Sequence, residues 1–583
     1  MTENRKHPTS CKAAWPLGLL LATAMLLIAW FACSMSFATN DDTLILRQMM
    51  GFGVTELPDF NLYIHFLLLY PLRWLSLAFP GQPWFSWMQL FLLWLSAAVI
   101  AKSILQCFAH ADKPLWAGLL TAVLFLGVFL MRYMAQVSYT VTAALLGAAA
   151  VLQLMSIDTE RVSGGSWFRS ALLSLLMALL GYSMRQMTAL PSMTFCGIAF
   201  LVQGIRRFHA GQDWKKPLIA TALAVAVVFG AACGLREIEI NADEEIREYV
   251  EWQQQRIRMI DYYDLNDIPT QVREAHGLTD ARLALMIDWY LMDGDLDADT
   301  LRAFGDALEA AQDSSLSARL AKAAQTLKAF PANEPLAAKS LPVVGALALF
   351  CAIALLCGGK RSRFPQWLGI GLGWACLTVM VLYLASKGRL PMRGLWTAVM
   401  PFAALLAGLL PACLPLSSRL PGKAVTCVMA ACTILLCALY LVPMADAIAK
   451  RPLSDEAQTA NDTFGALDDY GVCNEEYLLI TDGTLSGDTR MFPTTEFGIS
   501  TNIISYGGWE THSPAHNQLL QRYGFDPDEW SLSCFLEDNV RLVRGGLEPP
   551  PQLIIDGLNE IVEVDWHLDS EWDGIYSLYF EEW

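Results

Sequence analysis

Two adjacent carboxylates, Asp41 and Asp42, stand in the stretch Ala38-Thr-Asn-Asp-Asp-Thr-Leu-Ile-Leu-Arg-Gln-Met-Met-Gly51, directly behind an apolar run from Trp15 to Phe37. A carboxylate at a hydrocarbon boundary can serve as a general base, and if a divalent cation binds at all, Asp41 or Asp42 is its ligand. The same residues also suit the first turn of a helix that continues into Leu-Ile-Leu-Arg-Gln. A second cluster, Ser386-Lys-Gly-Arg-Leu-Pro-Met-Arg-Gly394, gathers Lys387, Arg389 and Arg393 on a turn shaped by Gly and Pro. Three cations there can stabilise phosphate oxygens, or snorkel to lipid headgroups. Arg185 and Arg132 are further charges near helix ends, where function and anchoring are both common.

A third cluster, Tyr506-Gly-Gly-Trp-Glu-Thr-His-Ser-Pro514, sets Trp509, Glu510 and His512 on a Gly-rich loop. Aromatic faces and carboxylates suit carbohydrate, and such loops are also often structural. His512 and His516 flank Pro514 without a cysteine partner, which argues against zinc. Walker, GxGxxG, GxSxG and HExxH patterns are absent, and nothing points to nucleic acid.

These residues must be placed by membrane helices. The 583 residues are 54% hydrophobic and 17% charged, with mean hydropathy +0.37. Eleven apolar runs predict transmembrane helices. The division expected is a cytoplasmic tail at 1–14, helices one to seven within 15–235 with an outer loop at 38–83, a helical extracytoplasmic insertion at 236–338, helices eight to eleven at 339–444, and an extracytoplasmic α+β domain at 445–583. Arg5, Lys6 and Lys12 before the first run also suit a signal peptide, but the run is longer than a signal core and reads as a retained anchor.

Charge sets the orientation. The insertion carries 10 basic and 21 acidic residues and the C-terminal stretch 6 and 27, leaving +15 of the total −17 on the membrane part. Arg161, Arg169, Arg206, Arg207, Lys215, Lys216, Lys360, Arg361, Arg363, Arg419 and Lys423 fall on one set of short loops, which the positive-inside rule places in the cytoplasm. The piece from Asn61 to Phe79, interrupted by Pro71 and holding His65 and Arg73, reads as bent amphipathic helix on the outer membrane surface. Twelve of the 14 cysteines lie in apolar spans or the N-terminal tail. Cys473 and Cys534, in the C-terminal domain, are either a disulfide or two buried thiols.

Within the insertion, Ala242–Asp261, Thr279–Met292 and Thr300–Lys328 read as helices. In the C-terminal stretch, runs starting at Tyr477, Asn502, Gln552 and Gly574 read as strands, and Asn517–Tyr523 as a helix.

The order Asp41-Asp42, Arg47, Gly51, Pro58, His65, the Pro71-Leu-Arg-Trp74 turn and a span from Trp84 resembles the GT-C superfamily over about the first hundred residues. These are polytopic glycosyltransferases that use polyprenyl-phosphate sugars, among them protein O-mannosyltransferases and lipid A aminoarabinose transferases. The resemblance implies a GT-C-like membrane fold and inverting transfer at the outer face of the cell membrane. Asp41 or Asp42 would be the base, and the acceptor a glycan, lipid or protein. Lys387, Arg389, Arg393 and Arg47 would bind the donor phosphate, with His65, Arg73, Arg185, Trp509, Glu510 and His512 as further substrate contacts. Two other functions fit the composition: a lipid or glycan transporter (flippase), for which mid-span charges and repeats are scarce, and a non-catalytic scaffold or receptor with acidic outer domains. A scaffold would leave the Asp pair and the Lys387–Arg393 loop more than about 25 Å apart, whereas groups meeting one phosphosugar must converge.

Overall fold

The computed structural model describes residues 12–159, 161–313, 315–357, 363–414, 420–449, 455–481, 489–493, 498–543, 552–561, 566–572 and 575–580. Arg5, Lys6, Lys360, Arg361 and Arg419, which helped set the expected orientation, lie outside them, as does the side chain of Lys423.

Apolar sequence becomes helix because a backbone in hydrocarbon must satisfy its own hydrogen bonds. In chain order the first half is α1 (Ala14–Ala32), β1 (Ser36–Phe37), α2 (Asn40–Met50), α3 (Phe66–Ala78), α4 (Trp84–His110), α5 (Leu115–Phe129), α6 (Met131–Ala135), β2 (Gln136–Val137), α7 (Tyr139–Met155), α8 (Gly164–Met184), α9 (Gln186–His209) and α10 (Lys215–Ala242). The insertion supplies α11 (Glu244–Ile260), α12 (Thr270–Ala275), α13 (Asp280–Ile287), α14 (Ala298–Ala311) and α15 (Leu316–Asn333). Apolar helices resume with α16 (Pro335–Cys357), α17 (Phe364–Ser386), α18 (Met392–Cys413) and α19 (Leu420–Ala449). Among the described residues nine helices are long and apolar enough to cross a membrane, and α3, α5 and α7 are shorter apolar ones. The chain is a helical polytopic membrane protein.

The bundle centres on α7, every residue of which is buried, and on α18 and α4. Helix α7 is rich in Ala, Thr and Gly, and small residues let helix backbones approach closely. A Cβ at Gly147 would stand 2.1 Å from the Ser192 hydroxyl of α9. Helices α1, α10 and α19 show mostly apolar side chains outward, as lipid-facing helices do. At one end of the bundle Arg207 donates to the carbonyls of Thr159, Val162 and Asp213, and Lys113 to that of Leu414. The hydrophilic domains cover the opposite end.

The C-terminal domain comprises α20 (Asp455–Cys473), β3 (Leu478–Thr481), β4 (Ile503–Ser505), α21 (Pro514–Arg522), β5 (Val540–Val543), α22 (Gln552–Ile561), β6 (Trp566–Trp572) and β7 (Ile575–Phe580). Its five strands run β4-β3-β5-β7-β6, with β3 parallel to β4 and β5 and the last pairs antiparallel. Successive side chains point to opposite faces. Leu478 and Ile480 therefore join one core, and Leu479 joins another beneath α20 with Leu467 and Ile503.

Three expectations change, and the cysteine alternatives resolve. The run from Gln552 is helix, with Ile554 and Leu558 buried four apart on one face. Thr300–Lys328 is two helices, because Ser315 interrupts the run and caps α15 through the amide of Ala318. The insertion is not a separate body: Leu285, Tyr290 and Met292 share one core with the C-terminal sheet, and Leu291 donates its amide to the carbonyl of Tyr506. Cys473 and Cys534 are free thiols. Cys473 ends α20, while Cys534 packs against the core on the other face of the sheet, so the sheet separates them.

Candidate functional site

The Asp pair does start a helix. Both carboxylates lie in the first turn of α2, where the helix dipole favours negative charge, and Gly51 ends that helix at φ 102°, a left-handed cap that glycine adopts without strain. The local order read as an acid motif is thus also a well-formed helix. What distinguishes the two residues is where they face.

Asp42 is fully buried. It accepts hydrogen bonds from the Thr39 hydroxyl (2.7 Å), Gln89 Nε2 (2.8 Å) and the Tyr139 amide (2.8 Å). Burial outweighs those donors and pushes its carboxyl up to about 7. The parallel pairing of β1 with β2, Phe37 opposite Val137, holds the two chain segments in the register that makes the last of these contacts. Asp42 therefore ties α2 to α4 and α7 and offers nothing to a ligand.

Asp41 keeps 18% of its side chain exposed. Its Oδ2 lies 3.4 Å from Arg393 Nη1 and 3.5 Å from the Tyr139 hydroxyl. Arg185, in extended backbone between α8 and α9, donates to that hydroxyl and to Thr140 Oγ1, both at 2.5 Å. Its guanidinium also sits over the rings of Tyr63 (5.2 Å) and Tyr139 (4.8 Å). Tyr63 completes the wall, 5.7 Å from the Tyr139 ring and 5.4 Å from that of Trp509. Burial, then the charge of Asp41, pushes the Tyr63 phenol up to about 12, so it stays protonated. Arg256 of α11, 5% exposed and hydrogen-bonded to Gln253, adds positive charge opposite Tyr63. Beside Arg393, Met392 donates its amide to Glu334, and its sulfur accepts from Arg132 Nη1 at 3.6 Å.

The cationic turn is thus divided. Arg393 reaches Asp41, so these parts of the two clusters converge rather than standing tens of ångströms apart. Arg389 pairs with Asp261 at 2.6 Å, and Lys387 lies 5.9 Å over the ring of Tyr262. Arg47 corrects the expectation more strongly: it forms a buried two-pronged ion pair with Asp468 of α20, at 3.0 and 2.5 Å, and stacks on Phe52 and Phe464. It fastens the C-terminal domain and does not face Asp41.

The other expected contacts also separate. His65 caps α3 through the Leu67 amide and bonds the carbonyl of Ala232, with no exposed surface. Arg73 donates to the carbonyl of Leu57. Glu510 is buried beside Gln48, and burial raises it to about 7. His512 is held by the carbonyl of Leu291 and the ring of Trp252, and burial lowers it to about 4. Among the described residues no group of three or more His, Cys, Asp or Glu side chains is placed to hold a metal ion. Asp41 and Asp42 turn apart, one toward Arg393 and one toward its three donors, and do not form a cation-binding set.

Tyr63, Tyr139 and Arg256 were not singled out by the sequence. Interfacial tyrosines are common, and Arg256 sits in a helix with many charges, so only the fold marks them. No protein-family model, curated relative or solved structure matches the chain.

Proposed function

We propose that this chain is an integral-membrane glycosyltransferase of the GT-C type, with eleven crossings, its N-terminus cytoplasmic and its hydrophilic domains outside the cell membrane. It transfers a sugar from a polyprenyl-phosphate donor to an acceptor hydroxyl. The observation that carries the reading is the meeting of a partly exposed carboxylate, Asp41, with Arg393, Arg185 and Tyr139 at the bundle end covered by hydrophilic domains.

In this reading Asp41 takes the acceptor proton as the acceptor oxygen bonds to the anomeric carbon. The bond from that carbon to the phosphate oxygen breaks with inversion, and the lipid phosphate leaves with the electron pair. Arg393 and Arg185 stabilise the charge that builds there, the kind of preorganised help that removes several kcal/mol from such barriers. Asp42 positions α2. Donor phosphate binding thus falls to Arg393 and Arg185 rather than to Lys387, Arg389 or Arg47.

The test supplies radiolabelled polyprenyl-phosphate sugars to the purified protein and follows transfer or slow hydrolysis. Asp41→Asn is expected to lower turnover by roughly 10²–10⁴-fold, the usual contribution of a general base, with the protein still folded. Full turnover in Asp41→Asn overturns the reading. A tag placed after Val442 that proves cytosolic does so as well.

A further inference from the structure

The insertion carries 10 basic and 21 acidic residues, yet its last hydrophilic helix, α15, holds Arg319, Lys322 and Lys328 and no carboxylate. Earlier in the insertion Arg236, Arg247, Arg258, Arg273, Arg282 and Arg302 each pair with an acidic side chain. Among the described residues the three cations of α15 have no ion-pair partner. Positive charge is thus concentrated, unneutralised, on one helix of an acidic unit.

Position ties that helix to the membrane. It leads directly into α16 and packs along α17, both long and apolar enough to cross a bilayer. Phe330, near its end, is buried in the core of the bundle. Beside that buried face Leu316, Leu320 and Leu327 are exposed, the first two by 74% and 55%. At about 3.6 residues per turn the three leucines fall within about 40° of one another, with Arg319 on one flank and Lys328 on the other. A helix this polar cannot span, and an apolar stripe edged with cations lies in the plane of a membrane surface.

The turn after α17 adds a fourth cation. A Cβ on Gly388 would stand 2.5 Å from Lys322 Cε, so the bare glycine lets that lysine lie across the turn beside Lys387. Arg389 is neutralised by Asp261, whereas Lys387 faces the Tyr262 ring. Tyr383, in the last turn of α17, is exposed together with Val379 and Leu382. Tyrosine at the end of an apolar helix marks the depth of lipid headgroups, which is where Lys322 and Lys387 then stand. Arg393 serves elsewhere: Leu390 and Met392, both buried, separate it in the chain from Lys387, and it turns to Asp41.

We infer that α15 and the turn after α17 form a binding surface for anionic phospholipid of the adjoining leaflet. The leucine stripe enters the acyl boundary, and Arg319, Lys322, Lys328 and Lys387 meet headgroup phosphates. An acidic insertion is repelled by such a leaflet, and this one cationic helix holds its membrane-proximal end down. The inference goes beyond the glycosyltransferase reading and does not depend on it.

The test follows the melting temperature of the full chain in neutral detergent micelles doped with dioleoyl phosphatidylglycerol or, separately, dioleoyl phosphatidylcholine. Phosphatidylglycerol is expected to raise it saturably and phosphatidylcholine to do so far less. The phosphatidylglycerol content at half-saturation should increase roughly fivefold in each of Lys387→Gln and Lys328→Gln. It should increase roughly tenfold in Leu320→Gln, which breaks the stripe without changing charge. Arg522→Gln, which removes an exposed charge from α21, is expected to leave it unchanged. Equal responses to the two lipids overturn the inference, as does a half-saturation insensitive to either the two lysine variants or Leu320→Gln. A phosphatidylglycerol response lost in Arg393→Gln and kept in the lysine variants puts the lipid beside Asp41 and overturns it too. None of these outcomes touches the transferase reading, which donor turnover in Asp41→Asn decides by itself.

Discussion

Replacing Arg47 by Met separates a phosphate ligand from a structural latch. Asp468 has no exposed side-chain surface, and Arg47 supplies two of its hydrogen bonds, at 3.0 and 2.5 Å. Arg490 and Ser500 remain, each at 3.3 Å. Removing one partner of a buried ion pair costs about 3–5 kcal/mol, because the other charge stays buried. The two remaining donors put the expected loss near the lower limit, about 3 kcal/mol. For a hydrophilic unit of this size that is roughly a 6–12 °C fall in melting temperature, at about 2–4 °C per kcal/mol. Arg47→Met combined with Asp468→Leu removes both charges and should recover most of the loss, since apolar replacement of a whole buried pair is often near neutral. The assay is thermal unfolding followed by tryptophan fluorescence, beside KM for the lipid-linked donor in the protein that stays folded. A melt that does not move, together with a raised donor KM, would refute the latch and restore Arg47 as a phosphate ligand.

Three further outcomes are expected. Arg393→Gln should raise donor KM or lower kcat strongly while Lys387→Gln leaves both near wild type; equal effects would mean that the turn acts as one headgroup anchor. Asp42→Asn should cost about 1–3 kcal/mol of stability, as its amide opposes a donor already aimed at it, and a variant as stable as wild type would deny its bracing role. His512 and His516 stay neutral in the fold, burial lowering them to about 4 and about 3, while unfolded histidine titrates near 6.5. Stability from each is therefore lost as pH falls below 6.5; Asp42 and Glu510, raised by burial, change stability in the opposite sense over the same range. The clean readout is a difference: His516→Phe should gain about 2 kcal/mol on wild type between pH 7 and pH 5, from 1.5 units at 1.36 kcal/mol each. An unchanged difference would rule out a buried neutral His516.

Apolar length made the membrane helices legible, because a helix satisfies its backbone in lipid within one continuous segment. The first-turn reading of Asp41 and Asp42 and the Gly51 stop were legible for the same local reason. Which carboxylate faces outward was not, since that depends on Gln89 and Tyr139, 47 and 97 residues away from Asp42. The short run at Gln552 shows the limit of periodicity: five β-prone residues also fit one helical turn, and burial of Ile554 with Leu558 decides for helix. The strand Val540–Val543 escaped because Arg541 breaks its apolar pattern, yet that arginine lies 3.9 Å over the ring of Tyr477. Arg47 was misread for a related reason. A cation in the last turn of a helix looks the same whether its partner is a ligand or a carboxylate 421 residues later.

The distribution of charge bears on where a donor can enter. The insertion and C-terminal domain carry net −11 and −21, and they cover a bundle end where Arg393 and Arg185 lie near the partly exposed Asp41. An anion approaching through water meets the acidic domains first, although salt screens that repulsion beyond about 8 Å. A lipid-linked donor of the proposed kind would instead approach in the plane of the membrane and reach Arg393 and Arg185 from beneath the acidic domains. Free sugar phosphates should therefore compete poorly with lipid-linked ones, and least well at low ionic strength. If competition instead improved as salt was lowered, the acidic domains would not be screening the site, and the case for a lipid-borne donor would lose its electrostatic support.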